Sequence, residues 1–138
     1  MDKASHGHLI NMISCRIKRL ADENLANENV TIEQVKILGM INRNGGRVSQ
    51  KEIELAFGVR RSTVTSAMQN LEKKGYIKRE ANPEDSRSKI VLLTDEGKEK
   101  NRKLKSFIDE LEAKLVSCLD NDESDRLKEL LLKVLNNF

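Results

Sequence analysis

The sequence predicts a mainly α-helical chain carrying one small β-hairpin. Apolar residues recur at helical spacing in six separate stretches of the 138 residues. Two short strand-like runs, 76–80 and 89–93, flank a charged tip at 81–88. Helix-start and helix-stop residues punctuate the chain between these stretches.

The first helix is expected over 8–26, where Ile10, Ile13, Ile17, Leu20, Ala21 and Leu25 share a face. Asn27-Glu28-Asn29 ends it, and Thr31 with Gln34 forms a capping box that opens a second helix running to about residue 43. Val35, Leu38 and Ile41 are its inward positions. Asn44-Gly45-Gly46 is a turn, and Arg47-Val48 a short strand. Ser49 with Glu52 makes another capping box, opening a third helix over 49–57 with Ile53, Leu55 and Ala56 inward.

After a turn at Gly58, a fourth helix over 62–74 buries Val64, Ala67, Met68 and Leu71. Its other face presents Thr63, Thr65, Ser66, Gln69, Asn70 and Lys73, and Gly75 suits the left-handed position that ends a helix. In the hairpin tip Pro83 cannot continue a ladder, and Asn82 and Asp85 favour turns. Thr94 then caps a fifth helix whose dipole Asp95 and Glu96 complement. That helix is expected to reach about residue 119 with Leu104, Phe107, Ile108, Leu111, Leu115 and Leu119 as a stripe. A last helix starts at Asn121-Asp122 and carries Leu127, Leu130, Leu131, Val134, Leu135 and Phe138.

Helix, turn, helix and basic hairpin in that order make a winged helix-turn-helix over 31–97, one element for the major groove and one for the backbone or minor groove beside it. Three Phe, one Tyr and no Trp are few aromatic anchors for a monomeric core. The apolar helices of 1–30 and 98–138 are therefore expected to form a helical dimerisation platform, in one compact domain overall. Charge follows the same division. Residues 60–105 hold 13 Lys/Arg and 7 Asp/Glu, a local +6, whereas 106–138 hold 4 and 8, a local −4. Basic charge on the winged module is what an approach to phosphate requires.

Other classes find little support. No apolar run is long enough to span a membrane and the N-terminus carries no signal-peptide core, so a cytoplasmic location is expected. Cys15 and Cys118 are far apart and form no CxxC pattern, which argues against a structural disulfide. Cys118 in its apolar stripe reads as a small buried hydrophobe. His6 and His8 have no accompanying ligand cluster, so no metal and no cofactor are expected. With no converging nucleophile, base and orienting group and no phosphate-cradling glycine loop, the chain is not expected to be an enzyme.

A reading helix needs a buried stripe, short outward polar side chains and flanking cations, and 60–74 has all three. Arg60 and Arg61 stand where a helix start attracts phosphate. Ser62 and Thr63 can donate to phosphate oxygens, while Thr65, Ser66, Gln69 and Asn70 have the length to approach base edges. Lys73 adds a cation at the far end. Asp85, two residues before Arg87, can accept from its guanidinium and hold it outward for a narrow minor groove.

The runs Ser62-Thr63-Val64-Thr65, Leu71-Glu72-Lys73-Lys74-Gly75-Tyr76-Ile77, Pro83-Glu84-Asp85-Ser86-Arg87 and Leu92-Leu93-Thr94-Asp95-Glu96-Gly97 together resemble the MarR family of regulators. Thr31-x-x-Gln34 fits the same pattern, and the likeness spans essentially the whole chain. The N-terminal stretch and length are nearest to the family's multidrug-efflux repressors of the MepR kind. The resemblance implies a homodimeric repressor on a palindromic operator in double-stranded DNA, with Ser62, Thr63, Thr65, Ser66 and Gln69 as readers. It makes Arg87 the wing contact, supported by Asp85, and Lys89 a phosphate contact. It also implies a small amphipathic or phenolic ligand in a crevice between platform and reading lobe, for which Met12, Arg16, Met40 and Phe107 are the candidates. Two alternatives stay open at this stage. One is a non-specific architectural or protein-docking winged helix, and the other is a redox regulator sensing through Cys15.

Overall fold

A computed structural model describes residues 3–58 and 60–138. Six helices and three strands follow in the order α1 His6–Leu25, α2 Ile32–Arg43, β1 Arg47–Ser49, α3 Gln50–Phe57, α4 Arg61–Lys73, β2 Ile77–Ala81, β3 Lys89–Leu93, α5 Asp95–Leu115 and α6 Asn121–Leu135, with a 3₁₀ turn at Ala26–Glu28 after α1. The mainly α fold with a small β-wing is thus the observed one. The chain divides into two compact units, 1–105 and 106–138.

In the first unit, β3 is the middle strand of an antiparallel sheet ordered β1-β3-β2. Val48 stands opposite Val91, and Ile77 opposite Leu93. Under this sheet Ile37, Leu38 and Ile41 of α2 pack with Ile53 of α3 and Val64, Ala67, Met68 and Leu71 of α4. The inward positions expected of α2 and α4 are therefore all buried. Burying such aliphatic side chains contributes about 1.5–3 kcal/mol each, which holds α4 at a defined angle against the sheet.

Local capping sets most element boundaries. Thr31 Oγ1 accepts from Gln34 N at 3.2 Å while Gln34 Oε1 accepts from Thr31 N at 3.1 Å, the complete capping box. At α3 the hydroxyl half forms, Glu52 N donating to Ser49 Oγ at 3.1 Å. Gly97 N donates to Thr94 Oγ1 at 3.0 Å to open α5, and Thr94 Oγ1 donates in turn to Gly75 O at 2.6 Å. Gly75 itself has φ 82°, the left-handed geometry that lets α4 stop and β2 begin.

Four expectations are corrected. Leu55 is 75% exposed and Ala56 is exposed as well. The eight-residue α3 turns inward through Ile53 and, one turn on, Phe57, which packs against the core. Helix α1 begins two residues early, at His6, because Ser5 Oγ accepts from His8 N at 3.2 Å. Helix α5 ends at Leu115 and not near 119, the Ser117 hydroxyl donating to the Lys114 carbonyl at 2.8 Å as the chain turns. Cys118 lies beyond that end and is exposed.

The second unit holds the end of α5 and α6. An Asp120–Glu123 capping box, unread in the sequence, starts α6. Leu127, Leu130, Leu131, Leu132, Val134, Leu135 and Phe138 are all exposed in the single chain. On α1, Leu9, Ile10, Met12 and Ile13 are exposed too, while its later Ala21 and Leu25 are buried. Among the described residues, no helix is long and apolar enough to cross a membrane.

Candidate nucleic-acid interface

With its apolar stripe buried, α4 turns Ser62, Thr63, Ser66, Gln69, Asn70 and Lys73 outward as exposed or half-exposed residues and leaves Thr65 partly buried. Arg60 is the N-cap residue, yet no side chain among the described residues caps this helix. Arg61 is its first residue and not a flanking one. The start of α4 thus sets two arginines beside the positive end of the helix dipole, a combination that attracts anions.

The hairpin tip is built from two successive side-chain turns. Glu84 N donates to Asn82 Oδ1 and Arg87 N to Asp85 Oδ1, each at 3.0 Å. The Arg87 guanidinium then reaches the same carboxylate, Nε to Oδ1 at 3.4 Å, while its side chain stays 90% exposed. The backbone N–H of Arg87, and then its side chain, hold the Asp85 carboxyl below the usual carboxylate range. Asp85 and Arg87 therefore meet as the sequence predicts.

Reading helix and wing tip share one cleft of about 420 Å³, lined by Arg61, Arg87, Lys89, Asp85 and Ser88, with Gln50, Lys51 and Glu54 of α3 and Arg79 of β2. Five of the nine residues are cations and two are acids. Arg61 Nε stands 3.5 Å from Glu54 Oε1, with the arginine side chain 80% exposed. The sequence pattern does not single out Lys51 or Gln50. Lysine on a short polar helix face is too common to mark a site until the fold sets it across from the wing.

The sequence pattern does not single out Arg79 either, and it positions rather than presents. Its side chain is 19% exposed, with Nε and Nη2 donating to the two Glu72 oxygens at 3.2 and 3.1 Å and Nη1 to Gln50 Oε1 at 3.5 Å. This fork joins the last turn of α4 to the wing strand and to α3. The Arg79 hydrogen bonds hold the Glu72 carboxyl below its ordinary range against the opposing effect of burial. Arg79→Ala is expected to destabilise the fold by about 1–2 kcal/mol, the lower end of the range for a partly buried pair because solvent screens the carboxylate. A carboxylate whose pKa is lowered on folding stabilises above its unfolded pKa, and that stability is lost as pH falls through the folded value. The gap between wild type and Arg79→Ala in urea denaturation should therefore be full at pH 7 and close as pH drops below about 4.3. A gap independent of pH would remove the ion pair as its cause.

The crevice candidates fall in both units. Met12 and Arg16 are exposed on α1, Met40 packs against the core of the first unit, and Phe107 lies partly buried in the second unit. None of the four lines the cleft above or a second one bounded by Tyr76, Asp95, Glu96, Glu99, Lys100 and Lys103. Cys15 is exposed on α1. No group of three or more His, Cys, Asp or Glu gathers to hold a metal among the described residues.

A reading helix and a cationic wing around one cleft define the class of winged-helix transcriptional regulators. The model of the MarR family matches residues 28–88. The multiple antibiotic resistance protein MarR of Escherichia coli is 31% identical over 130 residues, covering 94% of this chain and 90% of that protein. The structure of a cysteine-to-serine mutant of that protein, complexed with operator DNA, is similar with a TM-score of 0.83 at 31% identity, over 94% of this chain and 92% of that one. The S. aureus MepR–DNA complex is similar with a TM-score of 0.87 at 32% identity, over 99% and 100% of the two chains. This chain belongs to the MarR family.

Proposed function

We propose that the protein is a dimeric, sequence-specific DNA-binding repressor of the cytoplasm that holds a palindromic operator and is released from it by a small amphipathic or phenolic ligand. The observation that carries the reading is one cleft that joins Arg61 at the start of α4 to the cations Arg79, Arg87 and Lys89 of the wing. In this reading α4 enters the major groove. Arg60, Arg61, Ser62 and Thr63 take phosphate at its start, Thr65, Ser66 and Gln69 meet base edges, and Lys73 and Lys89 take further phosphates. Arg87, held by Asp85, enters the minor groove. That the similar MarR mutant was solved with operator DNA and the similar MepR with DNA supports DNA as the partner.

The exposed apolar residues of α1 and α6 are the surfaces a second copy would cover. Two reading helices in a dimer must stand about 34 Å apart to reach successive major grooves. A ligand releases DNA only to the extent that it binds a mismatched spacing better than a matched one. Such control needs no contact with any base-reading residue.

Arg87→Ala tests the wing. Operator affinity should fall about tenfold, and the slope of log affinity against log salt should shrink by about one phosphate equivalent, with the dimer intact. Unchanged affinity in a fluorescence-anisotropy titration would eliminate the wing contact. A wild-type protein that binds its best duplex less than about 10³-fold more tightly than scrambled DNA would favour the non-specific architectural reading instead.

A further inference from the structure

We propose that Lys74 is a positioning residue that ties the end of the reading helix to the corner between α1 and α2 and so sets the angle at which that helix meets DNA. The proposal rests on the DNA-reading function above and names a residue outside its contact surface. Lys74 is the C-cap of α4, its backbone N–H donating to Asn70 O at 3.0 Å. Its side chain leaves the reading face. The ammonium donates to the carbonyl of Asn29 and, at 3.4 Å, to Gln34 Oε1.

Both acceptors are themselves held. Asn29 has the left-handed conformation, φ 56° and ψ 37°, at the corner after α1. Gln34 is 4% exposed, and its Oε1 already accepts from Thr31 N in the capping box that starts α2. A second cation reaches the same corner from α5, Lys100 Nζ lying 2.8 Å from Glu28 Oε2. The corner between α1 and α2 thus receives an ammonium from the reading helix and another from the helix that follows the wing.

Lys74 loses hydration on burial and has a like charge, Lys100, beside it, and both effects lower its pKa. An unbranched apolar side chain of similar length would avoid that desolvation but would leave the Asn29 carbonyl and Gln34 Oε1 without this donor. Directional hydrogen bonds to two fixed acceptors are what the apolar substitute cannot supply. Those bonds determine orientation, and an α4 free to tilt by a few degrees would mismatch the half-sites.

The test uses the palindromic duplex that the wild-type protein recovers from a random-sequence pool. Its companions are versions with one central base pair added or removed, and a scrambled duplex. Lys74→Met should keep the wild-type sedimentation behaviour and a melting temperature within about 3 °C of wild type. Its affinity for the palindrome should fall about tenfold, while affinity for the scrambled duplex and the salt slope stay unchanged. The penalty for altered spacing should shrink, and Lys74→Arg should restore most of the loss. A salt slope reduced by about one would make Lys74 a phosphate contact and overturn the proposal. Parallel losses in melting temperature and in both affinities would reduce it to a structural role, also overturning it. An undiminished palindrome preference in Lys74→Met would refute it outright. Wild-type protein that recovers no palindrome would instead overturn the DNA-reading function, and the positioning role with it.

Discussion

Gly97→Ala is expected to destabilise the protein by about 3 kcal/mol or more, a large part of the roughly 5–15 kcal/mol that a domain of this kind has in total. A methyl group added at Gly97 would stand 2.0 Å from the Tyr76 carbonyl oxygen, 2.9 Å from its carbon and 2.8 Å from Leu93 Cδ1. Two of those three atoms are backbone and cannot turn aside. The same carbonyl accepts from Thr94 N at 3.1 Å, so displacing it also breaks the junction at which α4 ends, β2 starts and α5 begins. Gly97 is buried in the first turn of α5, which permits a close helix–strand approach that no other residue allows. Urea denaturation at pH 7 checks this, with Gly7→Ala as the control, since nothing lies within 4 Å of the added atom there. Equal midpoints for the two variants would show that the junction relaxes freely.

Deleting residues 121–138 is expected to abolish the dimer and to weaken operator binding by about 10³-fold, because two tethered half-site contacts become two independent ones. The deleted segment carries Leu127, Leu130, Leu131, Val134 and Leu135, all exposed in the single chain. A contiguous apolar patch of that kind is the mark of an interface. None of the core around α4 lies in it, since the cluster from Ile37 to Leu93 belongs to the first unit. The truncated protein should accordingly keep near-native far-UV circular dichroism for its length. A truncated form that sediments as a dimer would place the interface elsewhere.

Legibility varied with the range of the interactions. Helix α2 and its capping box could be read because Thr31 and Gln34 are three residues apart and the box needs nothing else. The Asp85–Arg87 contact was legible for the same reason, two residues within one turn. Helix α3 buries Ile53 as expected but pairs it with Phe57 and not with Leu55 and Ala56. Eight residues make barely two turns, so Ile53 with Leu55 and Ala56 looked as plausible as Ile53 with Phe57, and only packing under the sheet selects the latter. The end of α5 was misplaced because an apolar stripe continues through residues 116–119 although the Ser117 hydroxyl and the Asp120 cap divert the backbone.

The sequence by itself determined the winged helix, its order of elements and which face of α4 is polar, since periodicity and caps act within a few residues. Tertiary structure alone decided what holds that face at its angle. Arg79 meets Glu72 only because the chain reverses at Gly75, Lys74 meets Asn29 and Gln34 across 45 and 40 residues, and Lys51 comes to line the same cleft as the wing only when the sheet has formed. Side-chain chemistry shows that a cation wants a partner. Which partner it finds depends on distances that exist only in the folded chain.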